Sequence, residues 1–376
     1  MDVVTFSSRK ASNGKVIAIA TLNSERSLNA LSLPMIELLE PQLVAWRDDP
    51  EVACVWLEGA GEKAFCAGGD IVAMYNAMRD QPRTLVPEVE AFFTREYQLD
   101  YLIQTYPKPF VVWGSGIVMG GGMGLMNGAS HRIVTETSRL AMPEVSIGLY
   151  PDVGGTYFLN RITDNLGLFL GLTGAHMNAN DAIFLSLADH FAPAAEKEQL
   201  LAQMAELPWG DTAALNKQKL TDLFESVAQQ HQSLIPRAQI KPHHESLSSL
   251  AEADTVADAV ERLLAIDGGD DKWLARAQKT LAAGCPMTAH IVWNQLRHGA
   301  DLNLADCFKL ELTLSVNCAV KGDFAEGIRA LLIDKDLQPK WSHASVADVP
   351  AEDVDDIFMS PWAEGQHPLS ELATRN

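Results

Sequence analysis

Two carboxylates stand in a segment of the chain that carries few other charges, and each directly follows a proline. Glu144 follows Pro143, and Asp152 follows Pro151. They are eight residues apart, so they cannot share a helix face at i, i+4 spacing and can meet only across a loop. A carboxylate pair can divide the work of base and acid, or one member can be a nucleophile. Asp152 also has a structural alternative, because an aspartate just before Gly154 can cap the helix that follows.

Two glycine corners, Ala67-Gly68-Gly69-Asp70 and Gly120-Gly121-Gly122, each stand between a short apolar run and a helical pattern. Glycine lets the backbone turn so that free N–H groups point outward, and a helix start adds partial positive charge. Two such groups that converge on one point form an oxyanion hole. Either corner alone would indicate only a tight turn, whereas the pair favours the functional interpretation. Asp70 itself is expected to cap its helix.

The elements that must position these residues alternate between strands and helices up to about Ala192. Apolar runs predict strands, and helical spacing predicts the helices between them. The strands are predicted at 16–22, 52–57, 110–113, 131–135 and 140–142, and the helices at 32–46, 89–106, 120–126 and after Gly155. This alternation is an α/β pattern. It is not a nucleotide-binding unit, because the glycine segments contain no G-x-G-x-x-G and the chain has no G-x-x-x-x-G-K-[ST].

Beyond about Ala192 the chain is predicted to be helical. Helical spacing covers the segments 196–206, 212–230, 246–265, 270–283, 286–297 and 303–320. From residue 345 onward acidic residues and prolines dominate, which predicts a loosely attached tail. The predicted organisation is a core over 1–192 that holds the site, a helical region over 193–344 and an acidic, proline-containing tail over 345–376.

The composition excludes several classes of protein. The chain has 376 residues, of which 29 are Lys or Arg and 49 are Asp or Glu, giving a formal net charge of −20. Phosphate neutralisation needs clustered cations, so no nucleic-acid partner is expected. The five cysteines include no C-x-x-C pair, which favours a reducing compartment. We identify neither a signal peptide nor a transmembrane segment, since the uncharged stretch 110–130 is too rich in glycine, and we therefore expect a soluble, cytoplasmic protein.

The motifs resemble the crotonase superfamily, the enoyl-CoA hydratase/isomerase group. The resemblance rests on the segments 64–71, 119–125 and 142–155. The run 143–155 is most similar to one branch, the 3-hydroxyisobutyryl-CoA hydrolases, and the segments 92–97, 323–330 and 333–336 are similar to the same branch. The similarity extends over nearly the whole chain, from about residue 16 to 341. Each motif is moderately specific, and together they are highly specific.

The resemblance implies an α/β fold, a crotonase-like spiral of ββα turns with a helical C-terminal region, and an acyl-CoA substrate. It assigns the backbone N–H groups of Gly69 and Gly121 to an oxyanion hole for the thioester carbonyl. It assigns Glu144 and Asp152 to the catalytic carboxylates. Gly121, Glu144 and Asp152 are also implied to contact the substrate.

Two further substrate contacts follow from the resemblance alone. Glu96 matches a residue that lines the acyl pocket, and Arg26 lies where the family approaches the CoA phosphates and adenine. No metal ion and no redox cofactor is implied, because CoA is part of the substrate. A homo-oligomer formed through the helical C-terminal region is also compatible with the resemblance.

One departure separates this chain from the hydratases of the group. Hydratases carry two glutamates, and the position of the first is occupied here by Gly124. Hydrolysis of a short-chain 3-hydroxyacyl-CoA thioester, with Glu144 as base or nucleophile, is therefore the expected activity. An enoyl-CoA hydratase or isomerase is the alternative of the same class. A non-catalytic acyl-CoA-binding protein is the alternative of another class, since a fold does not fix a function.

Overall fold

The computed structural model describes residues 2–374, and the chain divides into two discontinuous units. Unit 1 consists of Met1–Gly69, Leu99–Leu140 and Met177–Lys241, and unit 2 of Asp70–Gln98, Ala141–His176 and Pro242–Asn376. The predicted boundary at residue 192 marks where strands end but not where a unit ends. Leu200, Met204 and Phe224 lie on helices beyond that point and are buried in the core of unit 1. Near residue 192 the chain changes from strands to helices, but the helices that follow still pack against the core of unit 1.

Nine strands form two sheets in the described chain. They are β1 Val4–Lys10, β2 Val16–Leu22, β3 Val52–Gly59, β4 Ala64–Cys66, β5 Phe110–Gly114, β6 Ile117–Met119, β7 His131–Val134, β8 Arg139–Ala141 and β9 His190–Phe191. The larger sheet has the order β1-β2-β3-β5-β7-β9, and the smaller has the order β4-β6-β8. Only the β1–β2 pair of the larger sheet is antiparallel.

The strands enter the two sheets alternately along the chain, so β3, β5 and β7 join the larger sheet while β4, β6 and β8 join the smaller. Helices follow β4, β6 and β8, which gives the repeating ββα turn expected from the resemblance. The predicted strands are confirmed, but the short strands β4, β6 and β9 were not predicted, and neither was β1. Its sequence VTFSSRK has few apolar residues and most of its side chains are exposed, as suits an edge strand.

Sixteen α-helices complete the described chain. They are α1 Leu33–Asp48, α2 Ile71–Arg79, α3 Pro87–Gln104, α4 Gly121–Asn127, α5 Gly155–Leu159, α6 Leu166–Thr173, α7 Ala179–Phe184, α8 Lys197–Glu206, α9 Ala213–Gln230, α10 His244–Ser248, α11 Val256–Ala265, α12 Lys272–Ala283, α13 Pro286–Gly299, α14 Leu304–Lys321, α15 Phe324–Ile328 and α16 Ala351–Phe358. None of these helices is long and apolar enough to cross a membrane. The helix predicted over 246–265 is interrupted, because Thr255 caps a new helix by accepting from the amide of Asp258.

The acidic tail is packed rather than loosely attached, which corrects the prediction from composition. α16 buries Val354 and Ile357 within unit 2. The side-chain amide of Asn317 on α14 donates to the carbonyls of Ile357 at 2.7 Å and Met359 at 2.8 Å. The acidic residues at 352, 353, 355 and 356 dominate the composition of this segment, so its amphipathic pattern, with apolar positions three residues apart, was not recognised.

Candidate active site

Three carboxyl groups are buried together within unit 2. Glu96 lies on α3, Glu144 begins a 3₁₀ turn, and Asp152 lies in the loop that leads to α5. Their exposed fractions are 2%, 4% and 3%. Among the residues that the structure describes, Glu96 Oε1 and Glu144 Oε2 have no hydrogen-bond partner. Buried polar atoms without partners are rare in folded proteins, so both oxygens are available to a ligand.

The turn between Glu144 and Asp152 brings the two carboxyls together across a loop, as the sequence required. Gly148 has φ +69°, and a Cβ there would lie 2.6 Å from backbone atoms of Asp323. Glycine is needed at this position both for the positive φ and for the close approach. Two buried side chains of α13 hold the loop, because Thr288 donates to the carbonyl of Leu149 and Gln295 to the carbonyl of Pro151, each at 2.6 Å.

The environment raises the pKa of all three carboxyls. Burial is the main cause for Glu96 and Glu144, whose pKa values lie well above the ordinary range, and the charge of Asp152 raises both further. Burial also raises the pKa of Asp152 to about 7, although the hydrogen bond with Tyr97 lowers it in part. A cluster of buried carboxyls with raised pKa values is typical of acid–base catalysis.

Asp152 does not cap α5, so the structural alternative for this residue is wrong. Its Oδ2 is instead hydrogen-bonded to the hydroxyl of Tyr97 at 2.7 Å. The helix start is capped by Glu311 of α14, whose carboxylate accepts from the amides of Gly154 at 2.8 Å and Thr156 at 2.7 Å. Burial raises the pKa of Glu311 to about 8, and these hydrogen bonds oppose that rise. Glu311 therefore satisfies the helix start, and the carboxyl of Asp152 stays available for another role.

Sequence analysis missed four residues around Asp152, namely Tyr97, Tyr150, Glu311 and Ser315. The hydroxyl of Tyr97 lies 2.6 Å from Ser315 Oγ, which lies 2.9 Å from the hydroxyl of Tyr150. Tyr150 in turn donates to the backbone carbonyl of Glu311 at 2.6 Å. One signal was present, because Glu311 occupies the apolar face of α14 four residues before Ser315 and three after Phe308. A carboxylate at such a position is seldom left without a partner.

The glycine corners lie side by side within unit 1. β4 and β6 are parallel neighbours, with Ala64 paired to Ile117 and Cys66 to Val118. The corners that follow the two strands therefore lie at the same sheet edge. The amides of Gly69 and Gly121 donate no hydrogen bond in the described chain. Both amides remain free donors, as an oxyanion hole requires, and their convergence on one carbonyl stays a prediction.

Asp70 caps α2 as predicted, by accepting from the amide of Ala73 at 3.1 Å. Arg26 is exposed in a 3₁₀ turn over Glu25–Ser27. The loop after this turn is held by Asn29, whose side-chain amide donates to the carbonyls of Ala60 and Ala64, each at 2.9 Å. The same loop reaches the first glycine corner, because the amide of Leu31 donates to the carbonyl of Gly68 at 2.8 Å. Arg26 is thus placed near that corner within unit 1.

We expect Gly122→Ala to disturb the second corner. A Cβ at this position would lie 2.3 Å from the carbonyl oxygen of Cys66, so the backbone must move. Overpacking of this kind costs about 1–3 kcal/mol of stability. A thermal melt should show a lower Tm, and the turnover of the folded fraction should fall as well. A variant with both values unchanged would show that the two corners are not tightly packed.

Residues 17–358 match the sequence profile of the enoyl-CoA hydratase/isomerase family. The chain belongs to this family. Its similarity to "3-hydroxyisobutyryl-CoA hydrolase, mitochondrial" from Danio rerio is 39% identity, covering 91% of this chain and 87% of the relative. The protein of the same name from Homo sapiens is 37% identical, covering 91% and 86%. The predicted superfamily and its hydrolase branch are confirmed by these matches.

Two solved structures of the family are similar to the whole chain. One is described as an enoyl-CoA hydratase from Rhodobacter sphaeroides, with TM-score 0.79 and 33% identity over 95% of this chain and 97% of its own. The other is described as a carnitinyl-CoA dehydratase from Mycobacterium thermoresistibile, with TM-score 0.79 and 31% identity over 96% and 99%. The predicted crotonase-like fold is therefore confirmed.

We expect this family member to lose stability as the pH rises from 6.5 to 8.5. Asp152 and Glu311 have raised pKa values of about 7 and 8 in the folded chain. At a pH between the pKa of the unfolded chain and that of the folded chain, the folded chain therefore binds more protons than the unfolded chain. That contribution is complete at low pH and is lost as pH rises through the folded values. The pKa of His131 is lowered to about 4, so its opposite contribution ends by about pH 6.5. Denaturant unfolding should show a loss on the order of 2 kcal/mol.

The Asp152→Asn variant provides the control for this titration. Asparagine does not ionise, so the decrease in unfolding free energy between the two pH values should be smaller than in the unmodified chain. A flat profile in the unmodified chain would contradict the raised pKa values.

Proposed function

We propose that this chain hydrolyses the thioester bond of a short-chain 3-hydroxyacyl-CoA, with 3-hydroxyisobutyryl-CoA as the preferred substrate. The observation that carries this proposal is the buried pair Glu144 and Asp152, in which Glu144 Oε2 has no partner in the described chain and the Asp152 carboxyl is free of a capping role. The names of the relatives support the same reaction, and the products would be 3-hydroxyisobutyrate and CoA. Such a reaction would belong to valine breakdown.

Hydrolysis needs an oxygen nucleophile, a stabilised carbonyl oxygen and a proton for the departing sulfur. Glu144 takes a proton from water as the water attacks the carbonyl carbon, or it attacks that carbon itself and forms an anhydride that water then opens. In either route the C–S bond breaks and the sulfur of CoA gains a proton. The amides of Gly69 and Gly121 are proposed as donors to the carbonyl oxygen.

Asp152 is proposed to bind the 3-hydroxyl group of the substrate or to assist proton transfer. Glu96 is proposed to line the acyl pocket, since its Oε1 is also without a partner in the described chain. Arg26 is proposed to approach the phosphates and adenine of CoA, for which an exposed guanidinium is suited. No metal ion or redox cofactor enters this reaction scheme.

Hydration of an enoyl-CoA is the second candidate, because the two structural relatives are described as a hydratase and a dehydratase. The chain argues against it at one position. Gly124 of α4 stands where the resemblance places the first hydratase glutamate, and glycine offers no group for water addition. A binding protein without activity is disfavoured by the unpartnered carboxyl oxygens of Glu96 and Glu144.

The release of free CoA, detected with a thiol reagent over a panel of acyl-CoAs, tests the proposal. A hydrolase releases thiol, a hydratase only removes enoyl absorbance, and a binding protein does neither. We expect thiol release to be fastest with 3-hydroxyisobutyryl-CoA. Loss of enoyl absorbance without thiol release would replace the proposal with the hydratase.

Two wider properties, the cellular compartment and the mode of assembly, are also proposed. The five cysteines are buried and form no disulfide bond in the described chain, which fits a reducing compartment and the predicted cytoplasmic location. The relatives above are mitochondrial by name, so fractionation of cells is the test that decides the compartment. Assembly through the helical C-terminal region is proposed as the mode of any homo-oligomer, and light scattering would measure it.

A further inference from the structure

Four hydrogen-bond contacts form an unbranched chain that starts at Asp152. They join Asp152 Oδ2 to the hydroxyl of Tyr97 at 2.7 Å, Tyr97 to Ser315 Oγ at 2.6 Å, Ser315 to the hydroxyl of Tyr150 at 2.9 Å, and Tyr150 to the carbonyl of Glu311 at 2.6 Å. All five residues belong to unit 2, and each is buried.

When all four contacts are hydrogen bonds, counting the protons along this series fixes the direction of each bond. A backbone carbonyl can only accept, so Tyr150 must donate to Glu311. Since Tyr150 has a single O–H, Ser315 must donate to Tyr150, and Tyr97 must then donate to Ser315. The proton for the contact between Tyr97 and Asp152 therefore has to come from Asp152. Three hydroxyl protons fill only three of the four contacts, and a protonated Asp152 fills the fourth.

When Asp152 is ionised, only three protons are available for the four contacts of the hydroxyl chain. Tyr97 then donates to the carboxylate and Ser315 donates to Tyr97. One of the two contacts of Tyr150 loses its proton, either the 2.9 Å contact with Ser315 or the bond to the carbonyl of Glu311. A buried contact without a proton places two oxygen lone pairs against each other, which is unfavourable.

We propose that Asp152 carries the shared proton of the carboxyl pair, and that the hydroxyls of Tyr97, Ser315 and Tyr150 are positioning groups that hold it there. This inference rests on the proposed hydrolysis and assigns its acid. Asp152 donates its proton to the sulfur of CoA as the C–S bond breaks, while ionised Glu144 takes a proton from water as the new C–O bond forms. The proton on Glu144 then returns to Asp152, so the cycle is balanced.

The arrangement around Glu144 agrees with this division. Glu144 Oε2 has no acceptor for an acid proton in the described chain, whereas the hydroxyl chain offers one to Asp152. Burial is the larger cause of the raised pKa of Glu144 and the charge of Asp152 is the smaller one, and a neutral Asp152 removes the smaller. The titratable groups that face Asp152 are Glu96 and Tyr97 of α3, Glu144 and Tyr150 of the loop, and Glu311 and Cys318 of α14.

Infrared difference spectra test the proposal without using activity. The spectrum of the unmodified chain minus that of Asp152→Asn should contain the carbonyl band of one neutral carboxylic acid near pH 6, and the band should disappear as the pH rises. In Ser315→Ala the hydroxyl chain is cut, and the neutral and ionised forms of Asp152 then keep equal numbers of hydrogen bonds. The midpoint should fall by roughly 0.4–1 pH unit, the equivalent of one net hydrogen bond.

Matched variants separate the effect of the hydroxyl chain from general effects of substitutions on α14. Thr313→Ala removes a hydroxyl of the same helix that bonds only the carbonyl of Lys309, so its midpoint should stay unchanged. Tyr150→Phe should shift the midpoint in the same direction as Ser315→Ala, and Ser315→Thr, which keeps a hydroxyl, should restore it. Alanine favours helix, so Ser315→Ala is expected to fold.

Kinetics supply the second readout. The alkaline fall of kcat should move to lower pH by the same amount in Ser315→Ala, with little change in KM. A difference spectrum between the unmodified chain and Asp152→Asn that contains no neutral-acid band, or a midpoint that does not fall in Ser315→Ala, would overturn the proposal. Absence of thiol release with the band and its shift intact would instead overturn the proposed hydrolysis and keep the proton assignment of Asp152.

Discussion

We expect Glu144→Gln to lower kcat by about 10²–10⁴-fold, the usual contribution of a positioned base. Glutamine keeps the shape of the side chain but can neither accept a proton from water nor attack the thioester. The fold should be retained, because Glu144 Oε2 has no partner to lose in the described chain and the 3₁₀ turn depends on backbone bonds. Thiol release over a range of substrate concentrations measures the effect.

The same variant limits which mechanism is possible. Near-normal turnover in a folded Glu144→Gln protein would remove Glu144 from the reaction. In the unmodified chain, single turnover in ¹⁸O-labelled water distinguishes the two routes for Glu144. Label in the Glu144 carboxyl indicates an anhydride, and label confined to the released acid indicates a general base.

We expect Asp152→Asn to reduce kcat/KM by about 10²–10⁴-fold while the Tm stays unchanged. The asparagine amide can donate to Tyr97 as the neutral acid does, so the hydroxyl chain stays complete. Asparagine cannot give up a proton to the departing sulfur. Because that step is common to all thioesters, the reduction should be equal for a 3-hydroxyacyl-CoA and for the matching acyl-CoA without the hydroxyl. A smaller reduction for the second substrate would assign Asp152 to binding the 3-hydroxyl group.

Glu311→Ala is the matched comparison for Asp152→Asn. It leaves the buried amides of Gly154 and Thr156 without an acceptor, and each such loss costs about 1–3 kcal/mol. The Tm should therefore fall in this variant and not in Asp152→Asn. The opposite result would restore Asp152 as the helix cap and weaken the case for its catalytic role.

The sequence determined the elements with strong local signals. Strands β3 and β5 are nearly continuous apolar runs because parallel strands in the middle of a sheet are buried on both faces. The α9, α12 and α14 helices follow from spacing that repeats every 3.6 residues. β1 has no such signal, because its position at the sheet edge leaves its side chains exposed. In the tail, charge concealed the two buried side chains of α16.

The sequence by itself identified the groups to which we assign the chemistry. Glycine at 69 and 121 and carboxylates at 144 and 152 are rare combinations that a turn or a surface would not need together. Only the tertiary structure decided what each carboxyl is free to do. Glu311 is more than 150 residues from Asp152 in the sequence, yet it is the group that caps α5. The hydrogen bond between Tyr97 and Ser315 joins residues 218 positions apart, and we propose that it helps to orient the proton of Asp152. Hydrogen bonds between such distant residues leave no periodic pattern in a sequence, because they depend on where separate elements meet when their apolar faces pack.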